Sequence, residues 1–184
     1  MLWTLPGTTI QSQREDAPLI EKQFSAMFMG GGIMLGQITE ITGLEPYTVQ
    51  NWIKRGFLPT SDHKRYNLNQ LCRIININML KKVLPMEQIV GLLSYINGNL
   101  DDTSDDLIDD SQLYFFFVRL AARARYIGGT ESWDDALEQV TAEYVEPVPG
   151  ARQKLLQVLK IMLTAWVAAT LHDATEKMIA DLKP

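Results

Sequence analysis

Apolar residues recur at three- and four-residue steps along most of the chain, and short polar or Gly/Pro-rich stretches cut that pattern into separate helices. Residues 1–16 show no sustained period and predict a partly ordered arm. Leu19, Ile20, Phe24, Met27 and Phe28 then fit a short amphipathic helix that Gly30-Gly31-Gly32 ends. Leu35, Ile38 and Ile41 lie on one face of the next helix, and Leu44, Val49, Trp52 and Ile53 carry that core into another. The turn between them holds Gly43, suited to positive φ, and Glu45-Pro46, suited to a helix start. After Gly56-Phe57-Leu58-Pro59 comes a basic loop, Thr60 to Tyr66, and then Asn67 with Gln70 as a capping-box start for a helix running to about Val83. Met86, Ile89, Val90, Leu93 and Ile96 follow Pro85 at helical spacing.

The second half reads as helix throughout. Leu113, Phe116, Phe117, Leu120 and Ala124 form one stripe, with Gly128-Gly129 as its stop. Ser132 and Asp135 start a helix bearing Trp133, Ala136, Leu137, Val140, Tyr144 and Val145, which ends before Pro147-Val148-Pro149-Gly150. From Ala151 to Leu182 two stripes run side by side, one through Leu155, Leu159, Met162, Trp166 and Ala169, the other through Leu156, Leu163, Val167, Leu171, Ala174 and Met178. The most apolar part of this helix, from Ile161 to Leu171, is shorter than the roughly 20 residues a bilayer demands, so a packed helix or a subunit interface is predicted rather than a membrane span. A homodimer with Leu155, Leu159, Met162 and Trp166 at or near the contact is the corresponding expectation.

Composition adds three constraints. The 184 residues are 46% apolar and 9% aromatic, enough for a sizeable core in one or two domains. Net charge is -5, which disfavours a protein that coats nucleic acid over its whole surface. The charges are nevertheless segregated: Lys54, Arg55, Lys64, Arg65, Arg73, Lys81 and Lys82 make 35–85 locally positive, whereas six aspartates stand between Asp101 and Asp110. That acidic run lacks the glycine and glutamate of a calcium loop and reads as a solvated linker, with Asp109, Asp110 and Ser111 capping the helix near Gln112.

Enzyme chemistry is not indicated. His63 and His172 are the only histidines and do not form a dyad with a neighbour, the Gly triplet lacks the Lys-Ser/Thr of a phosphate loop, and the lone Cys72 reads as a core residue. No cofactor or metal is expected. Arg119, Arg123, Arg125 and Arg152 are candidates for an anion pocket, with solvated helix faces as the alternative. No basic n-region precedes the first apolar run, so a cytoplasmic location is expected.

The residues Leu35-Gly36-Gln37-Ile38, Thr42-Gly43-Leu44, Thr48-Val49, Gly56-Phe57-Leu58-Pro59 and Arg65-Tyr66 resemble the MerR-type winged helix-turn-helix over about a third of the chain. The chain as a whole is similar to a family of uncharacterised proteins, a domain of unknown function, from low-GC Gram-positive bacteria. In place of the arginine and two tyrosines common in the second helix of MerR proteins, this chain has Gln50, Asn51 and Trp52. The resemblance implies a mainly α fold: an N-terminal arm and helix (1–34), a winged helix-turn-helix (35–98), an acidic linker (99–111) and a C-terminal helical bundle (112–184). It also implies a transcriptional regulator of double-stranded DNA, with Tyr47, Thr48, Gln50, Asn51, Lys54 and Arg55 facing the major groove and His63, Lys64, Arg65 and Tyr66 gripping the backbone. The bundle would dimerise or hold a small-molecule effector. A helical protein-interaction module that keeps the same scaffold is the alternative.

Overall fold

The computed structural model describes residues 2–100, 102–124 and 132–182. Among them are eight α-helices and two small antiparallel sheets. Strands β1 (Leu2–Thr4) and β2 (Gln11–Gln13) form an N-terminal hairpin, followed by a 3-10 segment (Arg14–Leu19) and α1 (Ile20–Met27). Next come β3 (Ile33–Met34), α2 (Leu35–Thr42), α3 (Pro46–Lys54) and β4 (Arg65–Tyr66), with β3 paired to β4 through Ile33–Tyr66 and Met34–Arg65. The chain continues as α4 (Leu68–Leu80), α5 (Met86–Asn97), α6 (Asp110–Arg123), α7 (Trp133–Val140) and α8 (Ala151–Asp181).

Local signals set most boundaries. Asn67 Oδ1 accepts the Gln70 N–H at 2.9 Å and Gln70 Oε1 accepts the Asn67 N–H at 2.8 Å, a reciprocal cap that starts α4. Ser132 and Asp135 start α7 in the same way. Helix α3 ends because Gly56 adopts φ 73°, which lets its own N–H reach the Ile53 carbonyl at 3.0 Å and the Phe57 N–H reach that of Trp52 at 2.9 Å. The expected stop at Gly128-Gly129 lies outside the described residues.

Helix α4 is the axis of the fold. All its residues from Leu71 to Ile77 are buried, and it makes its widest contact with α6, where Leu113 to Val118 are likewise buried. Both helices are therefore covered on all sides, which the single stripe predicted for α6 understates. One apolar core runs without a break from Trp3 to Ala165.

This continuity corrects three expectations. Residues 2–16 are more than a partly ordered arm: Trp3 and Leu5 are buried, the Arg14 guanidinium donates to the carbonyls of Ala121 and Ala122 at 2.9 and 3.2 Å, and the Tyr114 hydroxyl donates to the Pro6 carbonyl at 3.1 Å. Residues 99–111 do not hold two units apart either. Ile108 is buried, Asn69 Nδ2 donates to Asp109 at 3.2 Å, and Asp110 pairs with the buried Arg73 at 3.2 Å. Nor do Asp109 or Ser111 cap α6 through their side chains; the carboxylate at its first turn is Asp110, placed there to meet Arg73 as well as the helix dipole.

The third correction concerns α8. It is long and apolar enough to cross a membrane, yet Leu155, Leu159 and Met162 are fully buried inside this chain's own core. Trp166 is half-buried and packs edge-on against Trp3 and Phe117, with centroids 6.5 and 6.3 Å away. That stripe faces inward, so it is not available as a dimer contact. From Thr170 onward every described residue of α8 is exposed.

Candidate functional site

Helices α2 and α3 sit on the core through one face each. Ile38 and Val49 are fully buried and Trp52 nearly so. Thr42 closes α2 by donating its hydroxyl to the Ile38 carbonyl at 2.7 Å, and Thr9 of the N-terminal hairpin adds 2.6 and 2.8 Å bonds to the Glu40 and Ile41 carbonyls. The last turn of α2 is thereby capped from a distant segment. On the far side of α3, Tyr47, Gln50, Asn51, Lys54 and Arg55 are exposed and Thr48 is half-buried. The Arg55 guanidinium lies 4.6 Å over the Phe57 ring, a cation–π contact that holds it beside the helix end.

The loop after Pro59 closes into a hairpin. Asp62 and Arg65 exchange both backbone hydrogen bonds at 3.1 and 2.8 Å, leaving His63 and Lys64 as a two-residue tip with φ 47° and 63°. Left-handed backbone costs a non-glycine residue on the order of 1 kcal/mol or more, and Gly or Asn is the inexpensive choice at such a tip. Here His63 and Lys64 occupy it instead. Asp62 Oδ1 accepts a hydrogen bond from His63 Nδ1 at 2.6 Å. The hairpin is moored at its base: Arg65 donates to the Gly32 carbonyl at 3.0 Å, Gln70 donates to the Thr60 carbonyl at 2.8 Å, and a Cβ at Gly32 would meet the Tyr66 carbonyl oxygen at 2.9 Å.

The structure brings three of the ten expected interface residues to one cleft. Gln50, Lys64 and Tyr66 line this cleft of about 500 Å³ between α3 and the hairpin, together with Ile53 and Leu35. Tyr66 borders that cleft without being exposed. It is only 5% exposed and packs into the core, because strand alternation turns Arg65 outward and Tyr66 inward. It is removed from the interface.

Two further residues, Arg73 and Lys81, support this face and escape a motif reading. Arg73 Nε donates to the Phe57 carbonyl at 3.2 Å, so the turn that ends α3 is tied through α4 to Asp110. The sequence signal was a lone charge inside the apolar run Leu71 to Ile77. Lys81 lies 5.6 Å over the Trp52 ring, and partial burial beside Lys82 lowers its pKa. Lys82 is drawn away to Asp173 at 2.6 Å.

The acidic run is a structural counterweight. Burial raises the Asp110 carboxyl despite the Arg73 guanidinium, and burial together with Asp110, Asp105 and Asp109 pushes Asp106 to about 6. A carboxyl raised in the folded state stabilises it below the unfolded pKa and loses that contribution as pH rises through the folded value. Asp106→Asn is therefore expected to stabilise the protein at pH 7.5, by about 1 kcal/mol after discounting for solvent screening, and to have no effect near pH 3.5. Urea unfolding at the two pH values measures it; an equal effect at both would refute the assignment.

Of the arginines proposed for an anion pocket, Arg119 and Arg123 border one cleft, and each already has a partner. Arg119 pairs with Glu143 and lies 4.8 Å over Phe116, Arg123 bonds Gln139, and both border a cleft of about 560 Å³ with Arg14. Arg152 stands apart, on Glu138 at 2.8 Å and the Thr141 carbonyl at 2.9 Å, and Arg125 lies outside the described residues. Cys72 is fully buried, and burial raises its thiol well above the usual range, as fits a core residue. One trio of metal-capable groups stands close together among the described residues, His172, Asp173 and Glu176, all exposed and with Asp173 engaged by Lys82.

Comparison with known proteins covers this same region. Residues 28–117 match the family described as Domain of unknown function (DUF1836). The matched span starts at the end of α1, takes in α2, α3, the hairpin, α4 and α5, and ends within α6. A curated relative, Uncharacterized protein YkrK of Bacillus subtilis (strain 168), is 29% identical over 162 residues, covering 82% of this chain and 70% of its own length. These matches support an uncharacterised bacterial family. No solved structure matches the chain.

Proposed function

We propose that the protein is a cytoplasmic DNA-binding transcriptional regulator built on a MerR-like winged helix-turn-helix, with α3 as the major-groove helix and the 60–66 hairpin as the wing. The observation that carries this reading is the pairing of an exposed polar α3 face with a hairpin whose strained tip presents His63 and Lys64. Phosphate contacts come from Lys54, Arg55 and Lys64, with Arg65 contributing while it holds the Gly32 carbonyl. Base edges fall to Gln50 and Asn51, whose amides can pair with adenine, with Tyr47 and Thr48 beside them. Net charge of -5 is no obstacle, because apart from Asp62 in the hairpin and Glu45 before α3 the acidic residues lie on other elements and repel DNA from the wrong faces.

Binding to random duplex titrated with salt tests the reading. Three or four phosphate contacts give a slope of about -3 to -4 in log affinity against log salt. Binding that is absent, or that has no salt dependence, would favour the second reading, a protein-interaction module in which Tyr47, 70% exposed, and the polar α3 face dock onto another protein.

A further inference from the structure

Helix α8 spans about 46 Å, and its C-terminal part from Thr170 is exposed, with Asp173 tied to Lys82 of the body at 2.6 Å. On its outward side Ile161, Thr164, Ala168, Leu171, Thr175, Met178 and Leu182 follow one another in alternating steps of three and four, and all are exposed. Ile161 is 44% exposed, Leu171 64%, Met178 62% and Leu182 80%. A mean step of 3.5 residues is the repeat that keeps one seam facing a partner helix wound around it, whereas an isolated surface helix needs no such regularity. The inward stripe of the same helix is already satisfied by the core, so this seam is a second and unoccupied one.

We propose that a second copy of the chain covers this seam, the two α8 helices pairing antiparallel about a two-fold axis between Ala169 and Thr170. In that register Ile161 meets Met178 of the second copy, Thr164 meets Thr175, and Ala168 meets Leu171, each pair occurring twice. Over these pairs apolar side chains face apolar, hydroxyls face hydroxyls, and the bulky Leu171 meets the small Ala168; Leu182 ends the seam beside the stem of Gln157. The flanks agree as well: Lys160, exposed and now paired with Asp134 at 2.7 Å, comes beside the exposed Asp181 of the second copy at both ends. The shape is self-complementary, since the exposed end of each α8 lies along the exposed flank from Ile161 to Ala168 on the other. A parallel pair would instead crowd the two bodies at one end and stack Thr164 on Thr164 and Thr175 on Thr175. About 20 helical residues a side is a modest interface, so dissociation in the micromolar range is expected.

The pairing does not rest on the DNA reading, and its test uses no DNA. Sedimentation of the full chain at about 50 μM is expected to show a dimer, and Leu171→Glu/Met178→Glu a monomer, with dissociation weakened at least about 100-fold. Because both residues are exposed in the single chain, the melting temperature of that variant measured at dilute, monomeric concentration should be unchanged. Lys160→Glu should weaken the dimer and Lys160→Glu/Asp181→Lys should restore it. Under oxidation, Thr164→Cys/Thr175→Cys should cross-link while Thr175→Cys alone should not. A monomeric wild type, a dimer indifferent to Leu171→Glu/Met178→Glu, or efficient cross-linking by Thr175→Cys alone would each overturn the proposal. A dimer that ignores duplex DNA would refute the functional reading and leave the pairing intact.

Discussion

An Arg73→Met protein is expected to be about 3 to 5 kcal/mol less stable than the wild type, and an Arg73→Met/Asp110→Leu protein to recover most of that loss. The Arg73 side chain is 5% exposed and Asp110 13%, so neither can turn to water when its partner goes. Asp110 Oδ1 already lacks a hydrogen-bond partner, and removing the guanidinium leaves the whole carboxylate stranded beside α4. The Phe57 carbonyl loses its Nε donor in the same step, which loosens the turn that fixes the end of α3. Replacing both charges by apolar groups of similar size removes the desolvation cost together with the attraction, at the loss of a favourable charge in the first turn of α6. The single variant should also regain stability as pH falls and Asp110 takes up a proton. Urea unfolding of the three proteins decides the matter: a single-variant loss below about 1 kcal/mol, or a double variant no better than the single, would mean that the pair is incidental to the fold.

What could be read in the sequence was local. The caps at Asn67 with Gln70 and at Ser132 with Asp135, Pro46 in the first turn of α3 and Gly56 after it each act within a few residues, and each lies where the pattern places it. What could not be read depends on partners far along the chain. Trp3 and Arg14 have no local period, and only α6 and α8 explain why they are buried or engaged. On α8 the stripe through Leu155 is buried along its length and the stripe through Leu156 only as far as Val167, and nothing within the helix tells where the second leaves the core; that depends on how far the rest of the fold reaches along α8. Tyr66 was legible in principle. In an alternating strand its neighbour Arg65 cannot share its side of the sheet, and the resemblance to a wing drew both to one surface.

On the proposed interface, changes at the hairpin tip and on α3 should separate affinity from specificity. Lys64→Gly removes a charge from a residue at φ 63°, where glycine is the more comfortable occupant. The variant is expected to melt at or above the wild-type temperature, to bind every duplex more weakly, and to show a salt slope flatter by about one unit for the lost phosphate contact. Preference among sequences should survive. Gln50→Ala and Asn51→Ala act on exposed side chains, so stability should hold while discrimination between matched and mismatched sites falls by about 1 to 3 kcal/mol for each bidentate pair lost. Gln50 carries the sharper test, because it also borders the cleft facing Lys64 and a merely structural role there would show as a lower melting temperature. Affinity lost equally on matched and mismatched sites, together with that lower melting temperature, would remove base readout from α3 and leave it a scaffold helix.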